Sequence, residues 1–270
     1  MKMDGEDEIV RRIEAALKAA CAALAPFTPG HVVAEYKSHH DPVTEADRIV
    51  DRVLRENLQQ NGEGWLSEES LDDKARLQFD RVWIVDPLDG TAEFVAGVPE
   101  WCVSIGFAHE GSAVAGGVCN PLTGEIFLGA RNIGVTYSGA AVCVGERKTL
   151  DGALVLASRS EFNRGQWRRF DDREFTIRPL GSIAYKLALV AAGKADATWT
   201  FNPKHEWDIA AGVALVEAAG GFVTTVEGTS PTFNNPDTRL SGLIAGAGGL
   251  RRPLLKILSL TRGAASGAIR

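Results

Sequence analysis

A buried strand that ends in carboxylates constrains this chain more than any other feature of its sequence. Val82-Trp83-Ile84-Val85 has the apolar composition of a strand inside a sheet, and Asp86-Pro-Leu-Asp-Gly-Thr91 follows it directly. Pro87 removes one backbone donor, and Gly90 permits a close approach of the backbone. Two acids at the end of a buried strand repel each other and lose hydration, so another group has to neutralise them.

A hard divalent cation is one way to neutralise Asp86 and Asp89. Mg²⁺ prefers carboxylate and carbonyl oxygens, completed by water or by the phosphate of a substrate. The structural alternative is that Asp86 forms a turn or a helix cap and that Asp89 pairs with a basic residue. This segment alone leaves both interpretations open.

Three other acidic segments favour the cation. Leu66-Ser-Glu-Glu-Ser70 places two carboxylates after a short apolar step, although a solvated loop also explains them. Glu206-Trp-Asp208 precedes an Ala-rich helix, where Asp208 is expected as the N-cap. Thr44-Glu-Ala-Asp47 is similar to a capping box with Asp in place of Glu. Each segment has a local explanation, but together they predict one cation-dependent site.

Several enzyme classes are excluded by their motifs. Phosphatases that form an aspartyl phosphate need two aspartates separated by one residue, whereas two residues separate Asp86 from Asp89. The sequence also contains neither the phosphate-binding loop of the NTPases nor the Gly-x-Ser-x-Gly turn of serine hydrolases.

Composition and charge limit the partners. Lys and Arg number 29 and Asp and Glu number 35, so the net charge of −6 disfavours a nucleic-acid polymer as partner. No apolar run reaches the roughly 18–20 residues of a membrane span, and the acidic N-terminus is unlike a secretory signal. The four cysteines contain no CxxC pair and are expected to be reduced thiols in or near the core. We therefore expect a cytoplasmic protein that does not bind a membrane.

Periodicity divides the chain near residue 150. It predicts an α+β N-terminal domain over residues 1–150, which carries most of the metal ligands, and an α/β C-terminal domain over residues 151–270, which supplies Asp208 and substrate contacts. Residues 36–42 are expected to form a loop. The predicted helices are 8–24, 44–58, 182–192, 209–219 and 250–258, and the predicted strands are 81–85, 101–108, 113–119, 125–128, 153–157, 196–200, 222–226 and 243–245.

Taken together, the acidic segments resemble the inositol monophosphatase family of lithium-sensitive, magnesium-dependent phosphatases. The family includes relatives of fructose-1,6-bisphosphatase and the 3′(2′),5′-bisphosphate nucleotidases. The resemblance extends over residues 8–247 and implies an α/β (α+β) fold, a layered αβαβα sandwich of the sugar-phosphatase type with the metal site between the two halves. Its markers are Asp41-Pro-Val-Thr-Glu-Ala-Asp47, Leu66-Ser-Glu-Glu-Ser70, Trp83-Ile-Val-Asp-Pro-Leu-Asp-Gly-Thr91 and Trp207-Asp-Ile-Ala-Ala-Gly212.

The resemblance also implies roles for individual residues. Asp47 and Thr91 would orient and deprotonate a metal-activated water, which attacks phosphorus opposite the leaving alkoxide. Two or three Mg²⁺ ions would be held by the side chains or carbonyl of Glu68, Asp86, Leu88, Asp89 and Asp208. Substrate contacts are implied for Asp89, Gly90, Thr91, Gly181, Ser182, Glu206 and Asp208.

The substrate is a small phosphate monoester, and two classes stay open. Inositol monophosphatases have a ring-binding Glu seven residues before the C-terminal metal ligand, where this chain has Phe201. The Glu206-Trp-Asp208 triplet is instead similar to the nucleotidases that act on 3′-phosphoadenosine 5′-phosphate. Lys186, Lys204 and His205 would meet a second phosphate or carry solvated charge.

Two further alternatives concern aromatic packing and activity. Trp199, Phe201 and Trp207 would stack a nucleotide base or pack in the core. A relative that binds a phosphorylated ligand without catalysis is the alternative of another class, although all the implied ligands are present. Many relatives are homodimers, but the sequence shows no interface.

Overall fold

The computed structural model describes residues 3–38 and 41–266 of the chain. In these ranges no helix combines the length and the apolar character needed to cross a membrane. The helices are α1 (Met3–Leu24), α2 (Glu45–Leu58), α3 (Thr91–Val95), α4 (Arg159–Asn163), α5 (Ile183–Ala191), α6 (Glu206–Ala218) and α7 (Arg251–Ser266). The strands are β1 (Ala34–Ser38), β2 (Asp41–Thr44), β3 (Gly64–Ser67), β4 (Arg81–Asp89), β5 (Cys102–His109), β6 (Ser112–Asn120), β7 (Glu125–Ala130), β8 (Gly134–Tyr137), β9 (Ala140–Val142), β10 (Leu154–Ser158), β11 (Thr176–Leu180), β12 (Ala197–Trp199), β13 (Lys204–His205), β14 (Gly221–Thr225), β15 (Arg239–Leu240) and β16 (Leu243–Ala247).

Two sheets organise the molecule. The larger sheet has the order β3-β4-β5-β6-β7-β8-β9, in which β3 and β4 are parallel and the other neighbours are antiparallel. The smaller sheet has the order β11-β10-β12-β16-β14, in which β10 is parallel to both of its neighbours. Two short antiparallel pairs, β1–β2 and β13–β15, lie outside these sheets.

Helices and sheets alternate in layers. Helices α1 and α2 pack on the larger sheet, α5 and α6 pack between the two sheets, and α7 packs on β16 of the smaller sheet. The layered αβαβα fold expected from the resemblance is therefore confirmed. This order buries α6 from both sides, which explains its apolar, Ala-rich sequence.

Small residues allow α6 to lie close to the larger sheet. A Cβ atom added to Gly106 of β5 would come within 2.6 Å of the Cβ atom of Ala210 on α6. Side chains do not approach each other that closely, so glycine lets helix and sheet pack at short range. This packing holds the first turn of α6, which carries Asp208, against the larger sheet.

The strands divide along the sequence near the expected boundary. All strands of the larger sheet come from residues 64–142, and all strands of the smaller sheet come from residues 154–247. Because α6 packs on β4, β5 and β6 of the larger sheet as well as on β14 of the smaller one, the two halves share a helical layer. The division into two domains at residue 150 stays a prediction.

Three local predictions are wrong. Residues 36–42 lie mostly in the strand pair β1–β2 rather than in a loop, although residues 39–40 lie outside the described residues. The strand predicted to end at residue 85 continues to Asp89, with a shift of register against β5 that accommodates the proline. Asp208 is not the N-cap of its helix, because α6 begins at Glu206 and His205 occupies the cap.

Each error has a physical cause. Strand β1 is exposed at Glu35 and Tyr36 in succession, so it lacks the alternation of a half-buried strand. Outside the β1–β2 pair, the periodicity missed the strands β3, β8, β9, β11, β13 and β15, each of which has five residues or fewer. Strands this short give too little pattern to identify.

Candidate active site

Three carboxylates from three elements converge at one end of the larger sheet. Parallel pairing of β3 with β4 places Ser67 opposite Val85, and the Glu68 N–H donates to the Val85 carbonyl at 3.4 Å. Glu68 and Asp86 are therefore neighbours where the two strands end, and Asp208 reaches them from the first turn of α6. One carboxylate oxygen from each of these acids lies within 4.8 Å of the other two.

Asp86 is the most buried member of this acidic cluster, which we define as Glu68, Asp86 and Asp208. Only 2% of Asp86 is exposed. Burial, followed by the negative charges of Glu68, Asp89 and Asp208, raises the pKa of Asp86 well above its ordinary value. The Leu88 N–H donates to Asp86 Oδ1 at 2.9 Å and opposes this shift only in part. Among the described residues, no Lys or Arg side chain forms an ion pair with Asp86.

The donor set fits a hard divalent cation. It consists of carboxylate oxygens, the ligands that Mg²⁺ prefers. These carboxylates repel one another, and the fold does not neutralise the negative charge at Asp86. The acidic cluster is therefore a candidate metal site among the described residues.

Asp89 lies beside the acidic cluster but is tied to the second half of the chain. Its Oδ2 accepts hydrogen bonds from the Ser182 hydroxyl at 2.6 Å and from the Ala184 N–H at 2.7 Å. Ser182 is the N-cap of α5, so Asp89 binds the positive end of that helix. Among the described residues, no group donates a hydrogen bond to its Oδ1.

Asp47 and Thr91 form a hydrogen-bonded pair. The Thr91 hydroxyl lies 3.0 Å from Asp47 Oδ1 and 2.9 Å from the Leu88 carbonyl oxygen. Its single proton can serve only one of these two acceptors at a time. Asp47 is held in turn by the N–H and the hydroxyl of Thr44, at 2.8 and 2.6 Å, which confirms the predicted capping box.

Gly90 makes the turn that connects β4 to α3. Its φ of 99° lies in the left-handed region, and it is the N-cap of α3, which begins at Thr91. A Cβ atom at this position would lie 3.0 Å from the Glu100 carbonyl oxygen. Glycine is therefore required for both the conformation and the close approach.

A cavity of about 210 Å³ opens beside this turn. Five of the residues assigned to substrate or metal from the sequence line it, namely Asp89, Gly90, Gly181, Ser182 and Asp208. Its remaining polar wall includes residues that the sequence did not indicate, namely Glu93, Ser158, Arg159, Ser160 and Thr200. The structure thus brings together most of the expected site and adds a charged wall to it.

Arg159 and Glu100 hold that wall in place. Glu100 accepts hydrogen bonds from Arg159 Nε at 2.9 Å and from the Gly181 N–H at 2.8 Å. Arg159 follows the buried strand β10 directly, as Asp86 follows the apolar run of β4. A charged residue after a buried strand is the sequence signal that could have identified Arg159.

The lysines of the cavity differ in what they bind. The Lys186 ammonium donates to the carbonyls of Leu180, Gly181 and Ser182 at 3.1, 3.0 and 2.8 Å. Burial lowers the pKa of Lys186 to about 8. Its three donors are thus used inside the protein, whereas the ammonium of Lys204 forms no hydrogen bond or ion pair with any described residue.

Three residues considered for substrate binding lie elsewhere. Glu206 is fully buried and accepts hydrogen bonds from the N–H groups of Asn234 and Asn235 at 2.7 and 2.8 Å, so it does not line the cavity. Trp199 stacks on Trp167 in the core, with ring centroids 4.6 Å apart. The His205 ring stacks on Trp207 at 4.4 Å.

Comparison with known proteins agrees with this geometry. The sequence model of the inositol monophosphatase family matches residues 6–259 of this chain. An inositol-1-monophosphatase of Mesorhizobium japonicum is 32% identical over 254 residues, which cover 90% of this chain and 93% of that protein.

Solved structures show the same fold. An inositol monophosphatase of Thermotoga maritima has a TM-score of 0.80 at 29% identity, with 97% of this chain and 99% of that one covered. CysQ of Bacteroides thetaiotaomicron, a bacterial member of the family, has a TM-score of 0.72 at 26% identity, with 88% and 97% covered. The chain therefore belongs to the inositol monophosphatase family and is a phosphatase, a hydrolase of phosphate monoesters.

Proposed function

We propose that the protein hydrolyses a small phosphate monoester, such as an inositol monophosphate, in a Mg²⁺-dependent reaction. The observation that carries this proposal is the convergence of Glu68, Asp86 and Asp208 within 4.8 Å, with Asp86 buried among other negative charges. Without a cation this arrangement is unfavourable, so its presence in the fold favours a ligand that supplies positive charge.

The acidic cluster, together with Asp89 and the Leu88 carbonyl, would hold two or three Mg²⁺ ions. When bound, the ions neutralise charge on the phosphate and lower the pKa of water. The acid from α6 completes a set that otherwise comes from β3 and β4, so the site depends on the packing of the two halves.

The remaining chemistry belongs to the chain. Asp47 orients the Thr91 hydroxyl, whose lone pairs position the attacking water, and Asp47 takes up the proton that the water releases. The N–H groups of Gly90 and Thr91 would bind phosphate oxygens where α3 begins. Phosphoryl transfer needs little beyond such positioning and the neutralisation of charge.

Phosphate release from inositol 1-phosphate by the full-length protein tests this proposal. We expect turnover with Mg²⁺, loss of turnover with a chelator and inhibition by millimolar lithium. A well-folded protein that binds phosphorylated ligands but releases no phosphate with Mg²⁺ would instead support the catalytically silent alternative.

A bisphosphate such as 3′-phosphoadenosine 5′-phosphate is the second candidate substrate. Lys204 favours it, because this lysine lines the cavity and has no anionic partner among the described residues. Phe201, which occupies the position of the ring-binding glutamate, lines a different cavity with Trp199. A second phosphate would thus find a cation in the cavity, whereas an inositol ring would find no acid at residue 201.

Side-by-side kinetics distinguish the two substrates. If the bisphosphate is the substrate, Lys204→Met should lower its kcat/KM roughly 10-fold and leave that of inositol 1-phosphate unchanged. Lys148→Met, at an exposed lysine, is the matched control. Equal losses of kcat/KM on both substrates would mean that Lys204 does not bind a second phosphate.

Cytoplasmic location and a homodimer stay predictions. Cell fractionation and size-exclusion chromatography with light scattering test them independently of activity.

A further inference from the structure

Two cysteines that are distant in sequence have their sulfur atoms in contact. Cys21 lies in the last turn of α1, and Cys119 lies near the end of β6. Their Sγ atoms are 3.0 Å apart across a sequence separation of 98 residues. A disulfide bond is about 2.05 Å long, so the two sulfurs would have to approach by only about 1 Å to form one.

The packing of α1 on the larger sheet holds this pair together. Helix α1 lies across β6 and β7, and both cysteines are set in the apolar layer between them. Cys119 is buried, whereas Cys21 is only partly buried and can meet a reagent from solvent. Contact between the thiols is therefore fixed by the fold and is not an encounter of mobile side chains.

The other two cysteines do not share this arrangement. Cys102 is buried, with its Sγ 3.3 Å from the Ser182 hydroxyl. Cys143 is exposed, contrary to the expectation that all four thiols lie in or near the core. Among the described residues, Cys21 and Cys119 are thus the one pair placed to bond to each other.

We propose that Cys21 and Cys119 form a redox modification site, which a small-molecule disulfide such as oxidised glutathione converts into an intramolecular disulfide between α1 and the larger sheet. Cys21 is the attacking thiol because it is the more accessible of the two, and the hydrogen bond to Cys119 also lowers its pKa. Both half-reactions are thiol–disulfide exchanges.

The exchange balances in two steps. The Cys21 thiolate attacks one sulfur of oxidised glutathione, which forms a mixed disulfide and releases one glutathione thiolate. The Cys119 sulfur then attacks Cys21 Sγ and expels the second glutathione, which takes up the proton that Cys119 gives up. In sum, two protein thiols and one oxidised glutathione give one protein disulfide and two reduced glutathiones.

The bond would act as a staple between two distant parts of the chain. Closing a separation of 98 residues removes conformational freedom from the unfolded chain. The oxidised protein should therefore melt several degrees above the reduced protein.

The test uses the full-length protein with Cys143→Ser, which removes the exposed thiol and leaves three of the four cysteines. After incubation with oxidised glutathione, we expect one titratable thiol in denaturant, no glutathione adduct and a cross-linked peptide that contains Cys21 and Cys119. Dithiothreitol should restore all three thiols. The readout is independent of phosphatase activity, so it does not depend on the proposed function.

Two further variants of the same parent identify the partners. Adding Cys119→Ser should trap a stable glutathione adduct on Cys21, and adding Cys21→Ser should leave both remaining thiols free. Retention of three thiols in the parent, a cross-link to Cys102 instead, or an oxidised protein that melts at or below the reduced one would overturn the proposal.

Discussion

The two ends of strand β4 surround buried carboxylates in opposite ways. At its start, Glu63 is 5% exposed and accepts hydrogen bonds from Arg12 at 2.7 and 3.0 Å, from Arg81 at 2.9 Å and from Trp83 at 2.8 Å. At its other end, the charged groups among the described residues that shift the pKa of Asp86 are all acids, namely Glu68, Asp89 and Asp208. Both carboxylates are buried, but only the first is neutralised by the protein itself.

The pKa values record this difference. Burial raises the pKa of Glu63, but the hydrogen bonds from Arg12, Trp83 and Arg81 outweigh it and lower that pKa to about 2. The pKa of Asp86 is shifted in the opposite direction, because burial and like charges act together. A buried acid that is paired with cationic side chains is neutralised by the protein itself. A buried acid without such partners indicates a place where a ligand supplies the positive charge.

The largest effect on activity is expected from removing one carboxylate of the acidic cluster. Asp86→Asn and Asp208→Asn should each lower Mg²⁺-dependent phosphate release by roughly 10³-fold or more, because each deletes a carboxylate that the ion needs. Circular dichroism should show an intact fold. Asp171→Asn, at an exposed aspartate, is the matched control. Full turnover in both site variants would remove these acids as ligands.

The next effect separates Thr91, which positions the attacking water, from the metal ligands at the same end of β4. Thr91→Ala should lower kcat roughly 100-fold, because the water loses the hydroxyl that orients it. The Mg²⁺ concentration for half-maximal activity should stay near that of the wild type, and Thr91→Ser should restore most of kcat. A large change in the Mg²⁺ requirement would instead make Thr91 part of the metal site.

A substitution of Glu63, at the start of β4, should affect the stability of the protein rather than its activity. Glu63→Gln should lower the free energy of unfolding by about 3 kcal/mol in urea titrations, since Arg12 would be left buried without its counter-charge. Specific activity of the folded protein should not change. Glu56→Gln, at an exposed glutamate, should have little effect on either quantity.

The same carboxylate predicts a dependence of stability on pH. Because the folded pKa of Glu63 lies below its unfolded value, its contribution is complete above about pH 4.3 and is lost as the pH falls toward 2. The difference in stability between wild type and Glu63→Gln should therefore shrink between these values. A constant difference over that range would contradict the ion-pair account.

The smallest effect tests a third kind of buried carboxylate, one held by neutral donors. Burial raises the pKa of Glu206, and the N–H groups of Asn234 and Asn235 oppose this shift. Glu206→Gln replaces an acceptor with a donor and should cost about 1–2 kcal/mol of stability while leaving KM unchanged. An increased KM with unchanged stability would return Glu206 to the substrate site, as the sequence predicted.

The sequence predicted those parts of the fold and site that depend on local pattern. Three such features each span only a few consecutive residues, namely the apolar run that leads into Asp86, the capping box at Asp47 and the turn at Gly90. The acidic segments together predicted one cation site, but the assignment of Glu68 and Asp208 as ligands beside Asp86 came from the family resemblance, because the packing of α6 and β3 against β4 is not encoded locally.

The remaining differences depend on contacts between distant segments. Glu206 has its partners in the loop at residues 234–235, and Arg159 has its partner in Glu100. The spacing of these residues in the sequence does not predict that they pair. The β1–β2 pair was missed for another reason, since consecutive exposed residues such as Glu35 and Tyr36 give no apolar alternation.

Thermal unfolding with and without Mg²⁺ tests the central claim most directly. If Asp86 is a buried charge that awaits a cation, increasing Mg²⁺ should raise the melting temperature of the wild type. Asp86→Asn, freed of like-charge repulsion, should melt in chelator at or above the wild type and should not respond to Mg²⁺. A wild type that ignores Mg²⁺, or an Asp86→Asn variant that responds to it equally, would contradict the account.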